Sequence, residues 1–151
     1  MAIDTRIYRI LDANANRARE GLRVVEEYPR LIRDNARFTS RLKALRHGIT
    51  EAIASIRVDE KLIRARQSDT DVGATKPEGP EANRVNLDHI VTANLRRSQE
   101  ALRVLEEYSK LVSAKASAEF KRIRFETYTL EKELRLKTNY RIRKEGRSKA
   151  T

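Results

Sequence analysis

Residues 10–31 read ILDANANRAREGLRVVEEYPRL, and residues 90–111 read IVTANLRRSQEALRVLEEYSKL. Superimposed with an offset of 80 and no gap, the stretches agree at twelve of twenty-two positions. Among these are Asn14/Asn94, Arg17/Arg97, Glu20/Glu100, Arg23/Arg103, Glu26/Glu106 and Tyr28/Tyr108. Agreement this dense marks a duplication, which sets the plan of the chain ahead of any other feature. A shorter match, LKALR at 42–46 against FKRIR at 120–124, pairs Lys43 with Lys121 and Arg46 with Arg124. Within the first copy, Leu11, Ala15, Ala18, Leu22 and Val25 recur at three- and four-residue spacing, the period of a helix.

Each half therefore reads as a helical hairpin. The expected helices span about 4–31 and 36–57, then about 86–113 and 115–139, with Asp4 and Asn86 as N-caps. Pro29 should end or kink the first helix. The fold expected is all-α: a four-helix bundle of two duplicated hairpins with pseudo-two-fold symmetry, forming one domain over about 1–140. Residues 58–85 form the long connection, with turn signals at Gly73, Pro77, Gly79 and Pro80. A connection of that length is more often functional than idle. Asp69, Asp71 and Gly73 give it carboxylates and a pliable backbone.

The 151 residues include no cysteine, which excludes a disulfide framework and any thiolate ligand or nucleophile. Low Gly and Pro content and the absence of Trp argue against collagen and β-sandwich folds. The start of the chain lacks an apolar leader and no apolar run approaches the ~20 residues needed to span a bilayer, so a soluble, cytoplasmic protein is expected. The formal net charge is +11. Residues 135–151 carry seven Lys/Arg and one Glu, more than half of that excess, so the basic tail at 141–151 reads as a solvated extension. The rest of the charge points to an anionic partner without naming one.

At 100° per residue, Leu11, Ala15, Ala18, Leu22 and Val25 form one part of an apolar arc, continued by Ile10, Ala13, Gly21, Val24, Tyr28 and Leu31. Asn14 falls near its middle and Arg17 on its far side. Glu20 and Glu27 sit at its edge, while Arg19, Arg23 and Glu26 point the other way, toward solvent or another helix. An Asn and an Arg in a core-facing arc are costly unless paired. Two explanations stand: a buried Arg–Glu network joining Arg17 to Glu20 or Glu27, or a polar pocket inside the bundle lined by both repeat copies, whose arginines hold an anion. Gly21 would allow a close approach of backbone or ligand. No P-loop, GxGxxG or HExxH is present, and His47 and His89 are too few for a metal cluster.

RILDANANRAREGLRVVEEY, the following LKALRH, the Arg66-x-x-x-x-Asp71-Val72-Gly73 segment and TANLRRSQEALRVLEEY together resemble one small all-α family. It is the strictly monofunctional hydroxymethylpyrimidine phosphate kinase of thiamine biosynthesis, found alone or fused in front of thiamine phosphate synthase. The resemblance covers about residues 5–135 and departs from the family pattern at Gln67 and Ala74. It implies ATP-dependent phosphorylation of 4-amino-5-hydroxymethyl-2-methylpyrimidine phosphate to the diphosphate, with ATP and Mg²⁺ as cofactors. Under that resemblance Arg17 and Arg97, with Arg46 and Arg124, are expected to clamp the phosphates. Asn14 and Asn94 would orient pyrimidine or phosphate, and Arg66 and Gly73 would join in binding. Glu20, Glu100 and Asp71 are the candidates for the metal, with the DVG loop as a lid. The expected partners are these small molecules, functional coupling to thiamine phosphate synthase, and a homodimer as an allowed assembly, with no specific nucleic acid and no membrane. The competing expectations are a chorismate mutase-like bundle for another anionic metabolite, a nucleic-acid-binding helical module, and a structural scaffold. The nucleic-acid module is disfavoured by the mixed signs of Arg23 beside Glu26 and Arg103 beside Glu106 and Glu107.

Overall fold

A computed structural model describes residues 2–74 and 79–148, with side chains of the last helix described through Lys137. The described residues form five α-helices and no strand: α1 Arg6–Glu27, α2 Ala36–Ile56, α3 Asp59–Ala65, α4 Leu87–Ser109 and α5 Ala114–Ser148. No helix is long and apolar enough to cross a membrane.

The caps explain most of the boundaries. Asn86 accepts from the His89 N–H at 2.8 Å, and Asn35 caps α2 by accepting from the Phe38 N–H at 3.0 Å. Thr5, not Asp4, is the cap residue of α1, but the Asp4 carboxylate takes the Arg6 N–H at 2.9 Å. Pro29 has no N–H for the ladder, and the α-helix gives way at Glu27 to a π-helical turn, Tyr28–Ile32. The expected helix to residue 31 is thus shorter. The connection is more structured than expected. Arg57 ends α2 in the left-handed region (φ 56°), and the chain turns straight into α3. This short helix carries Asp59 and Glu60 in its first turn and Arg64 in its last, in keeping with its dipole, and buries Leu62. A 3₁₀ turn follows at Gly79–Ala82. Pro77 lies outside the described residues. The basic tail is not a separate extension as far as Ser148: α5 continues through it, favoured by its Arg, Lys and Glu content.

Helix α1 packs against α4 and α2, α4 against α5, and α2 against α5, closing a four-helix ring, while α3 lies against α1. The core comprises Leu11, Leu22, Leu42, Ile49, Leu95, Leu102, Leu105, Phe120, Ile123 and Leu130, all within 1% of full burial. This apolar filling replaces the pocket expected inside the bundle. At the α1–α4 crossing, Ser98 Oγ donates to the Ala18 carbonyl at 3.0 Å. A Cβ on Gly21 would meet Ser98 Oγ at 2.3 Å and the Asn94 carbonyl at 2.9 Å. Contacts therefore advance along α1 as they recede along α4, so the helices are antiparallel. Ala18 and Ser98 are repeat equivalents, so the pseudo-dyad passes between them. The close approach expected at Gly21 is that of a helix backbone.

Candidate functional site

The residues shared by the two copies are unevenly placed. Of five core positions in the repeat, only Leu22/Leu102 is identical; Leu11/Val91, Ala15/Leu95, Ala18/Ser98 and Val25/Leu105 have drifted. The identities concentrate in two other groups. A core can exchange one apolar residue for another at small cost; a group with specific chemistry cannot.

The first group is a buried ion network. Glu26 is 2% exposed and is bonded by Arg46 Nε at 3.1 Å and Arg23 at 3.1 Å. Glu106 is likewise bonded by Arg124 Nε at 2.9 Å and paired with Arg103 at 3.3 Å. Glu26 thus meets another helix, α2, which is one of the two directions expected for it. Arg46 and Arg124 each tie together the two helices of their own hairpin through these carboxylates. The expected pairing of Arg17 with Glu20 or Glu27 is absent; Glu27 pairs with Arg23 at 2.6 Å.

The second group lies on the opposite side of α1 and α4. Because α2 and α5 touch, they occupy one side of the α1–α4 layer, and the pseudo-dyad leaves the other side common to both copies. Arg17, Glu20, Val24 and Leu31 are exposed there, as are Arg97, Glu100, Tyr108 and Leu111. Arg17 was expected within the apolar arc with Val24 and Leu31; among the described residues no helix covers Val24 or Leu31 and α3 only flanks Arg17, so all three are exposed. Neither Arg17 nor Arg97 makes a hydrogen bond or ion pair with another described residue. Asn14 Nδ2 donates to the Ile10 carbonyl at 2.9 Å, and Asn94 Nδ2 to the Ile90 carbonyl at 2.9 Å. Two equivalent Asn–Arg half-sites thus flank the dyad. Helix packing distances put the Arg17 and Arg97 backbones roughly 10 Å apart.

The first half-site is walled by α3. A cleft of about 1110 Å³ lies between α1, α3 and the loop after α3. Arg6, Arg9, Arg17, Lys61 and Arg64 line it beside one carboxylate, Asp71. Ile3, Tyr8, Ile10 and Val72 supply apolar surface. Arg66 itself grips Asp12 bidentately, at 2.7 Å for both bonds, clipping the end of α3 to α1. Gln67, the next residue, lines the cleft and its carbonyl accepts from Arg9 at 3.3 Å. Asp71 Oδ1 accepts the Gly73 N–H at 2.8 Å, which folds the DVG turn.

The structure therefore gathers Asn14, Arg17 and Asp71 in one cleft, with Asn94 and Arg97 across the dyad. It leaves Arg46, Arg124 and Arg66 in ion pairs, Gly73 in an exposed turn, and Glu20 and Glu100 on the open face. Among the described residues no three His, Asp or Glu side chains form a metal-holding group, so Glu20, Glu100 and Asp71 build no cage. Asp71 is the carboxylate placed to meet a cation arriving on a phosphate ligand. Arg9 and Lys61 were not among the expected residues. Arg9 falls one turn before Ala13 on the same helix, a signal available in the chain, whereas Lys61 depends on α3, a helix too short to stand out.

A duplicated all-α bundle with an arginine-rich cleft on its doubled helix face is the class defined by fold and site. A sequence profile of the ThiD2 family matches residues 9–133, and the chain belongs to that family. Relatives include the thiamine-phosphate synthases of Thermosynechococcus vestitus, 44% identical over 131 residues, and of Synechocystis sp., 45% identical over 130. The protein of that name from Rhodopirellula baltica is 42% identical over 132 residues. These alignments take in 86–87% of this chain but only 35–36% of each relative, so the chain spans about a third of the length of the curated relatives it matches. No solved structure matches.

Proposed function

We propose that the protein acts in thiamine biosynthesis as a phosphotransferase that uses ATP to convert hydroxymethylpyrimidine phosphate to its diphosphate. The observation that carries this is the pair of Asn–Arg half-sites across the dyad, their arginines free of protein carboxylates. Phosphoryl transfer between two phosphorylated molecules demands converging cations more than a protein nucleophile. An oxygen of the acceptor phosphate attacks the γ-phosphorus, a new P–O–P bridge forms, and the bond to the β–γ bridging oxygen breaks, leaving ADP with its electron pair. Arg17 and Arg97 hold the two phosphates in line and offset the charge spread over the transferring group. Bound Mg²⁺ supplies further charge neutralisation, with Asp71 as its protein contact. An arginine site left without its phosphate favours phosphorylated acceptors over the free alcohol.

The relatives' name supports the pathway; their greater length is compatible with a separate synthase segment. The test is ADP release from ATP, Mg²⁺ and the pyrimidine phosphate with the purified chain. Phosphate-dependent ADP release with diphosphate product supports the proposal. No ADP release, or thiamine phosphate formed from the diphosphate and thiazole phosphate, overturns it in favour of a synthase role.

A further inference from the structure

The two half-sites share their Asn and Arg but not their surroundings, and we infer that the nucleoside triphosphate occupies the α1–α3 cleft while the pyrimidine monophosphate sits against Asn94 and Arg97 on α4. This assignment rests on the kinase proposal and adds the direction of transfer across the dyad.

Charge decides between the halves. In the α1–α3 cleft, Arg6 and Arg64 already have local carboxylates, Asp4 at 2.6 Å and Glu60 at 2.6 Å. Three cations remain without one. Arg17 has no partner among the described residues, Arg9 bonds only the Gln67 carbonyl, and Lys61 stands over the Tyr8 ring at 5.4 Å. Asp71 is the opposing charge. The repeat equivalents on α4 are poorer. Asn86 stands where Arg6 stands, Asp88 where Tyr8 stands and His89 where Arg9 stands. Asn86 caps α4, and His89 Nδ1 accepts from the Val85 N–H at 3.2 Å. Among the described repeat equivalents, Arg97 is the cation left to that half-site. A triphosphate carries more charge than a monophosphate, so the richer set belongs to the nucleotide.

Size and polarity agree. The cleft, about 1110 Å³, reaches the upper end of small-molecule pockets, ~300–1,000 Å³, more room than a single pyrimidine ring uses. Its apolar side chains offer contact to a purine base beyond the phosphates. Among the described residues the α4 half-site has no counterpart of α3: α5 continues unbroken to Ser148, whereas α2 of the first hairpin ends at Arg57.

The test is isothermal titration of the full chain with a non-hydrolysable ATP analogue and Mg²⁺, and separately with the pyrimidine phosphate, alongside turnover. Arg9→Ala and Lys61→Ala remove exposed or half-exposed side chains outside the core, and unchanged helical circular dichroism confirms folding. Each should weaken the analogue at least tenfold and leave pyrimidine phosphate binding within twofold. Arg97→Ala should do the reverse. Pyrimidine phosphate binding lost in Arg9→Ala and Lys61→Ala, with analogue binding lost in Arg97→Ala and wild-type turnover intact, overturns the assignment while the kinase proposal stands. Absence of both analogue binding and turnover in the wild type overturns the kinase proposal and the assignment with it.

Discussion

Ser98 Oγ donates a 3.0 Å hydrogen bond to the carbonyl of Ala18, its own equivalent in the other repeat copy. The pseudo-dyad of the bundle therefore runs through a contact between two small residues, which lets α1 and α4 approach closely. Gly21 completes that contact, since a Cβ there would lie 2.9 Å from the Asn94 carbonyl. Backbone cannot rotate aside as a side-chain tip can. Gly21→Ala is expected to destabilise the fold by about 1–3 kcal/mol despite the better helix propensity of alanine. Ser98→Ala should cost about 0.5–1.5 kcal/mol. Urea unfolding followed by circular dichroism measures both, and a Gly21→Ala variant as stable as wild type would refute the close crossing.

The Glu26 and Glu106 networks predict matching penalties in the two halves. Truncating either carboxylate leaves a largely buried arginine, Arg46 or Arg124, without its main partner. Glu26→Ala and Glu106→Ala should each cost about 3 kcal/mol. Thermal melts showing one variant near wild type and the other strongly destabilised would break the symmetry argument.

The repeat made the hairpins and the bundle legible, and the caps at Asn86 and the break at Pro29 followed from local chemistry. The faces were harder. A helical wheel ranks residues by polarity, and so assigned Val24 and Leu31 inward and left Glu26 facing either solvent or another helix. Which neighbour covers which face is not local information. Glu26 is buried because α2 brings Arg46 to it, and Val24 is exposed because, among the described residues, no helix covers its part of α1. The same limit moved the pocket: Asn14, Arg17 and Asp71 were expected alongside Arg46, Arg124 and Arg66, which the structure holds in ion pairs, and the cleft that gathers the first three depends on α3, seven residues with one buried leucine. The metal and nucleotide roles came from family resemblance and remain proposals.

The Arg66–Asp12 clip holds the loop that carries Gln67 and Asp71 against α1. Asp12→Asn weakens the clip without touching the cleft lining. It should raise the nucleotide KM several-fold with little change in kcat, while the global melting temperature moves by only a few degrees. A kcat loss at unchanged KM would mean that the loop acts in the chemical step.

Acid should loosen the α2–α5 seam first. Arg41 bonds Glu133 at 2.6 Å and holds its carboxyl below the usual carboxylate range. A group depressed in the folded state stabilises above its unfolded value and loses that contribution as pH falls through the folded one. The melting temperature of wild type should exceed that of Glu133→Gln at pH 7, and the two should converge as pH falls below about 4, the unfolded glutamate range. A gap that does not narrow on acidification would show that packing rather than charge separates them.

Arg97 offers the sharpest test of selectivity. If it holds the acceptor's existing phosphate, its removal should harm the phosphorylated pyrimidine far more than the unphosphorylated alcohol. Losing one charge-assisted phosphate contact is expected to lower kcat/KM for the phosphate by roughly 10²–10³-fold. The alcohol has no group for Arg97 to grip, so its rate gains nothing from that guanidinium in the wild type. Arg97→Ala should therefore leave the already poor alcohol rate unchanged, so that the preference for phosphate collapses. Arg97→Lys should recover part of the phosphate rate, since a lysine keeps the charge but not the bidentate geometry. Competition kinetics with both acceptors in one reaction measure the ratio directly, and an undiminished preference in Arg97→Ala would remove Arg97 from acceptor recognition.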